Sequence, residues 1–190
     1  MQIKSATFVK GIVDAREAFA DNMPQVALIG RSNVGKSSTI NALTKQKGLA
    51  KTSSFPGRTQ QINLFLINNA WYLVDLPGYG YAKASAKDRV ALEALIKQYL
   101  FNPDYSHEKV VLIIDGEIGP TSSDLEILDA LESSGKPIII AVNKFDKVKP
   151  SKRDSQIKLI QSKVGPHTIV HYSAEKGIGI GELMDTIAPQ

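Results

Sequence analysis

Three uninterrupted apolar runs, Val26–Ile29, Val110–Ile114 and Ile138–Val142, punctuate the chain. Each is too short for a helix and rich in β-branched residues, the pattern of a strand covered on both faces. Between them the apolar period changes. Leu92, Leu95, Ile96 and Tyr99 recur at i, i+3, i+4 and i+7, and Ile157, Ile160 and Val164 share a second stripe, so both segments are predicted to be helices. Ser85 and Thr121 each stand three residues before an aspartate, the spacing of an N-cap. Ile62–Ile67 and Trp71–Val74 flank Asn68-Asn69-Ala70, a polar connection short enough for a hairpin. With Thr168–Tyr172 the strands number six. The expected class is α/β in three layers: a six-stranded, mostly parallel sheet with one antiparallel edge strand and helices on both faces.

No repeat, linker or low-complexity tract divides the 190 residues, a length that suits one domain. Residues 1–23 read as an N-terminal arm of the domain formed by residues 24–190. Mobility is expected in that arm and in residues 45–61, which lack periodicity and carry Gly48, Pro56 and Gly57.

Composition narrows the function. Hydrophobic residues are 43% and charged residues 22% of the chain, as in ordinary globular proteins. No apolar run approaches the roughly 18 residues a membrane helix needs, and Lys4, Lys10, Asp14, Arg16, Glu17 and Asp21 interrupt any secretory signal core. A cytoplasmic protein without a membrane partner is expected. The absence of cysteine excludes disulfides, thiolate metal sites and cysteine nucleophiles. Net charge is only +4, but residues 1–60 hold nine basic against three acidic side chains and the remainder fourteen against sixteen. That asymmetry favours an anionic partner, whether a small phosphate ligand or RNA.

Directly after Val26–Ile29 comes Gly30-Arg31-Ser32-Asn33-Val34-Gly35-Lys36-Ser37, which matches G-x-x-x-x-G-K-[ST] in the required context of strand, loop and helix. Its glycines let backbone N–H groups face phosphate oxygens, the helix presents its positive end, and Lys36 supplies a charge for the β- and γ-phosphates. Ser37 is the candidate Mg²⁺ ligand. The loop alone does not separate ATP from GTP. Asn143-Lys144-Phe145-Asp146 follows another strand, and an aspartate there can accept hydrogen bonds from N1–H and the exocyclic amine of guanine, which adenine does not offer. Asp75-Leu76-Pro77-Gly78 closes a third strand; Asp75 can hold the metal through a water and the Gly78 N–H can sense the γ-phosphate. Thr59, within Pro56-Gly57-Arg58-Thr59, can close over Mg²⁺, and Ser173-Ala174 can present an N–H to the guanine carbonyl.

Other signals are weaker. Gly78-Tyr79-Gly80 begins a dinucleotide fingerprint, but Lys83 stands where its third glycine belongs. Asp115-Gly116-Glu117-Ile118-Gly119 resembles a calcium loop, but Pro120 occupies the position that needs glycine. His107, His167 and His171 lack metal-ligand spacing and read as structural. Tyr79 and Tyr81 can stack on RNA bases or pack against the following helix. Seven basic residues against two acidic ones between Lys144 and Lys163 suit either a solvated helix face or an RNA-binding one.

The ordered motifs resemble the five G-motifs of the translation-factor-related GTPases over Val26 to about Ile187. More narrowly, Gly30 to Ser38, Pro56-Gly57-Arg58-Thr59-Gln60 and Asp75-Leu76-Pro77-Gly78-Tyr79-Gly80-Tyr81-Ala82-Lys83 resemble the EngB family. The resemblance implies a P-loop G domain and a Mg²⁺-dependent GTPase that binds GTP and GDP. It also implies a role in assembling the large ribosomal subunit or its precursor, with effects on cell division and septation, and a monomeric chain. By carry-over, nucleotide contacts fall on Gly30, Arg31, Ser32, Asn33, Val34, Gly35, Lys36, Ser37 and Ser38 and on Gly57, Arg58 and Thr59. Further contacts fall on Asp75, Leu76, Pro77 and Gly78, on Asn143, Lys144, Phe145 and Asp146, and on Tyr172, Ser173 and Ala174. Lys36 and Thr59 are the catalytic candidates; Ser37, Thr59 and, through water, Asp75 are the metal candidates. Tyr79 stands where Ras-like switches carry a water-orienting glutamine, so intrinsic hydrolysis is expected to be slow. Asn33 holds the loop position that in potassium-stimulated GTPases helps to bind K⁺, a second candidate cofactor. The alternative in another class is a GTP-gated docking module in which hydrolysis only resets binding; an ATP-dependent kinase would need a phosphoacceptor site and no guanine selectivity.

Overall fold

Buried strands alternate their side chains between two helical layers, which is why the apolar runs are continuous. Val26 and Leu28 face one layer while Ala27 and Ile29 face the other, all four fully buried. The computed structural model describes residues 2–14, 23–51, 61–80, 85–102, 105 and 107–189. In chain order its elements are β1 (Ala6–Ile12), β2 (Gln25–Gly30), α1 (Lys36–Thr44), β3 (Ile62–Ile67), β4 (Trp71–Asp75) and α2 (Ala86–Phe101). There follow β5 (Lys109–Asp115), α3 (Ser122–Ser133), β6 (Ile138–Asn143), α4 (Arg153–Val164), β7 (Thr168–His171) and α5 (Ile180–Ile187).

The sheet order is β1-β3-β4-β2-β5-β6-β7, with β3 antiparallel to both neighbours and the other pairings parallel. One core joins the sheet to α2, α3 and α4, and the other joins it to α1 and α5. The three-layer α/β architecture is therefore present. The strand count is corrected from six to seven, because Ala6–Ile12, read as part of a mobile arm, pairs with β3 over its length. Only Ala6 and Ile12 of this strand are buried, so it offers no apolar run to detect. It also takes the edge position, which leaves β3 one place inside it.

Local signals are realised in side-chain geometry. Asn68 and Asn69 both adopt positive φ, 51° and 52°, as a two-residue hairpin turn requires. The Ser85 hydroxyl accepts the Asp88 N–H, and Asp124 receives both the N–H and the hydroxyl of Thr121, so the expected caps of α2 and α3 form.

His107 lies beneath this frame, 7% exposed, edge-on to Tyr99 and with Nδ1 3.3 Å from Lys136 Nζ. Burial first, and then the Lys136 charge, depress its pKa to about 4. A depressed folded-state pKa means stability is intact above the unfolded value near 6.5 and is lost as pH falls from there through 4. The expected loss is about 3 kcal/mol over that window. Urea denaturation of the wild type and His107→Gln between pH 7 and 4 checks this: the two stabilities converge in acid, and parallel pH profiles would contradict it.

Candidate nucleotide site

Every parallel strand from β4 to β7 ends at one edge of the sheet, and the chemistry-bearing residues follow those ends. Gly30 to Ser38 run from β2 into α1, Asp75 ends β4, Asp115 ends β5, and Asn143 ends β6. Tyr172 to Ala174 follow β7. The topology thus gathers motifs more than a hundred residues apart.

Two of these loops are bolted together. Asn143, 3% exposed, donates from Nδ2 to the Val34 carbonyl (2.9 Å) and accepts the Ala174 N–H at Oδ1 (3.0 Å). The bond to Val34 passes over Gly35, where a Cβ would collide with Nδ2 and where φ is +103°. Glycine is therefore required on both counts. A second tie comes from Lys144, itself at φ 60°, whose Nζ donates to the Asn33 carbonyl (3.0 Å) and pairs with Asp115 (2.7 Å). Asp115 also accepts the N–H groups of Glu117 and Ile118, so the failed calcium loop is instead a turn that aims one carboxylate oxygen at Lys144. Sequence reading missed this role; the signal was an acidic residue ending a parallel strand.

Several of the candidate residues are buried or have partners within the protein. Val34, Leu76 and Pro77 are buried, so only their backbones can face a ligand. The Tyr172 side chain does not reach the groove: it is fully buried and its hydroxyl bonds Thr39 Oγ1 at 2.8 Å, because a buried phenol needs a partner. The Ser173 and Ala174 N–H groups both have partners within the protein. They are held by the Ile178 carbonyl and by Asn143, since a buried carboxamide must satisfy both its ends. Phe145 packs against His171 with ring centroids 4.7 Å apart and carries the Arg153 guanidinium over its face. Ser37 and Ser38 stand half-buried in the first turn of α1. Tyr79, expected to meet RNA or α2, donates its hydroxyl to Asp124 on α3 at 2.6 Å. Gly57, Arg58, Thr59 and Tyr81 lie outside the described residues.

Electrostatically the groove is incomplete. Lys36 donates to the Gly30 carbonyl at 3.2 Å, and burial lowers its pKa against the restoring charge of Asp75. Asp75, 3% exposed, is pushed up to about 6 by burial, with Lys36 and an Asn63 hydrogen bond pulling the other way. Asp75 Oδ1 and Asp146 Oδ1 are both buried without a hydrogen-bond partner. Orphaned carboxylate oxygens are costly and mark where a bound group would be received. The Ser37 hydroxyl and the Asp75 carboxylate are the hard-oxygen donors that suit Mg²⁺.

The family model described as 50S ribosome-binding GTPase matches residues 25–144, and that of the elongation factor Tu GTP-binding domain matches residues 105–189. A probable GTP-binding protein EngB of Clostridium perfringens is 41% identical over 188 residues, covering 97% of this chain and 95% of the relative. Its counterpart in Thermotoga maritima is 44% identical over 167 residues, covering 86% and 85%. The chain belongs to the EngB family of GTP-binding proteins. A crystal structure of a probable GTP-binding protein EngB superposes with a TM-score of 0.73 at 26% identity, covering 86% of this chain and 96% of that one. Era in complex with MgGDPNP and nucleotides 1506–1542 of 16S ribosomal RNA gives 0.70 at 30% identity, covering 86% and 55%. EngB membership makes the chain a P-loop GTPase that binds guanine nucleotides.

The Asn143 brace makes a testable demand. Asn143→Ala orphans the Val34 carbonyl and the Ala174 N–H and is expected to lower nucleotide-free stability by about 2–5 kcal/mol. Urea denaturation without nucleotide measures it, and an unchanged midpoint would show that the brace contributes nothing.

Proposed function

We propose that the groove binds one GTP or GDP across the bolted loops, hydrolyses GTP slowly with Mg²⁺, and uses the cycle to regulate docking on the large ribosomal subunit or its precursor. The observation that carries the guanine assignment is the buried, unpartnered Asp146 Oδ1, in a loop tied to the phosphate loop. Asp146 accepts the guanine N1–H and exocyclic amine, a match that adenine does not make. Gly30 to Ser38 wrap the phosphates, and a polyphosphate gives the desolvated Lys36 ammonium the counter-charge that Asp75 only partly supplies. Ser37 and Thr59 would hold Mg²⁺ directly and Asp75 would hold it through water; the ion would supply positive charge against the phosphates. Asn143 and Lys144 position the loops, while Asn33 is the residue that would help to hold a K⁺, which would add further positive charge.

Slow turnover follows from Tyr79. Its hydroxyl is engaged by Asp124, so the side chain that follows Gly78 does not supply an amide to orient an attacking water. The ribosomal partner is supported by the family description and by the basic surface carrying Lys147, Lys149, Lys152 and Lys158, all exposed. A monomer acting in the cytoplasm suits this reading, and no helix among the described residues is long and apolar enough to cross a membrane. Effects on cell division and septation then follow from disturbed ribosome supply.

Sedimentation of the chain with ribosomal subunits tests the whole reading. The wild type is expected to pellet with the large particle in a non-hydrolysable GTP analogue and to remain in the supernatant with GDP. Asp146→Asn, which loses the guanine acceptor, is expected to remain free in both. Equal pelleting in every arm would contradict nucleotide gating.

A further inference from the structure

The segment after β4 is fastened to the phosphate loop through Gly78 and Tyr79. Arg31 and Tyr79 form a parallel bridge, the Ser32 N–H donates to the Tyr79 carbonyl (2.9 Å), and the Ser32 hydroxyl donates to the Gly78 carbonyl (3.4 Å). The far side of this contact is held by Asp124, only 1% exposed. Its Oδ1 accepts the Tyr79 hydroxyl at 2.6 Å, and its Oδ2 lies 3.4 Å from Arg31 Nε as an ion pair while receiving the Thr121 cap. One buried carboxylate therefore hydrogen-bonds the switch segment and the start of α3 and lies within ion-pair distance of the loop, where Arg31 Nε makes no hydrogen bond. Such a charge-assisted, desolvated contact is stronger than a neutral hydrogen bond at the surface. Burial and the neighbouring Asp124 charge also raise the Tyr79 pKa, which keeps the phenol a donor.

The clasp brings Gly78 low over the loop. A Cβ on Gly78 would stand 2.9 Å from Ser32 N and 3.0 Å from Lys36 Nζ. A γ-phosphate received between the Lys36 ammonium and the Gly78 N–H would need room beside Ser32, where Gly78 lies close. A diphosphate ends one phosphoryl group short and does not need it. We propose that Asp124 is a positioning residue whose clasp on Tyr79 and Arg31 holds the switch segment in a diphosphate-favouring arrangement, so that triphosphate binding must release it. The proposal rests on the guanine-nucleotide reading above and adds to it the device that sets the balance between the two ligands.

Calorimetric titration of the full chain with GDP and with a non-hydrolysable GTP analogue, both with Mg²⁺, tests it. Tyr79→Phe keeps the ring and removes only the hydroxyl. The ratio of analogue affinity to GDP affinity is expected to rise about tenfold, the scale of one hydrogen bond to a charged group. Asp124→Ala reads the same clasp from its other side and is expected to shift the ratio in the same direction. Tyr79→Phe with Asp124→Ala should shift it no further than the larger single change. Ser134→Ala removes the hydroxyl bond to the Ala130 carbonyl at the far end of α3 without touching Asp124, so it should leave the ratio alone. An unchanged or decreased ratio in Tyr79→Phe, with GDP still bound, would overturn the proposal while sparing the guanine reading. A wild type that binds neither nucleotide would overturn that reading and the proposal with it.

Discussion

The site depends on a single buried carboxamide. Asn143 satisfies the Val34 carbonyl with one end and the Ala174 N–H with the other, and so ties the loop after β2 to the loops after β6 and β7. At 3% exposure neither end has water as a substitute, which makes the contact directional and costly to break. The bare backbone at Gly35 is the complementary requirement, since any side chain there would occupy the amide's path. Three strand ends become one cradle of fixed span. A ligand with phosphates at one end and a base at the other can then be recognised without first ordering the protein.

Charge in that cradle is arranged for a guest. Lys36 and Asp75 share a desolvated pocket in which each partly compensates the other, yet burial still moves both away from their ordinary ionisation. Asp75 and Asp146 each keep a buried oxygen without a hydrogen-bond partner. Such orphans are destabilising, and the proposed nucleotide and its metal would give both a partner. Stability is given up where binding recovers it.

Much of this was legible in the sequence because the relevant signals are local. Continuous β-branched runs follow from strands covered on both faces, and Thr121 with Asp124 announces a helix start by spacing alone. The phosphate loop is visible because its glycines and its lysine are contiguous. The edge strand Ala6–Ile12 was not legible. Its Phe8 and Val9 are exposed, a bulge shifts its register between Phe8 and Lys10, and only pairing with β3 makes it a strand. Long-range roles were hidden for the same reason. Asp115 becomes the anchor of Lys144, and Asp124 the anchor of Tyr79, through contacts 29 and 45 residues apart. Tyr172 sits beside a motif in sequence but turns its hydroxyl inward to Thr39.

The most direct measurement is a crystal structure of the full chain grown with GDP and Mg²⁺. A single nucleotide is expected to lie across the Asn143 brace, its phosphates enclosed by Gly30 to Ser38 with Lys36 alongside, and its guanine edge on the Asp146 carboxylate. Finding the nucleotide elsewhere, or Lys36 and Asp146 facing separate cavities with the brace undisturbed, would contradict it.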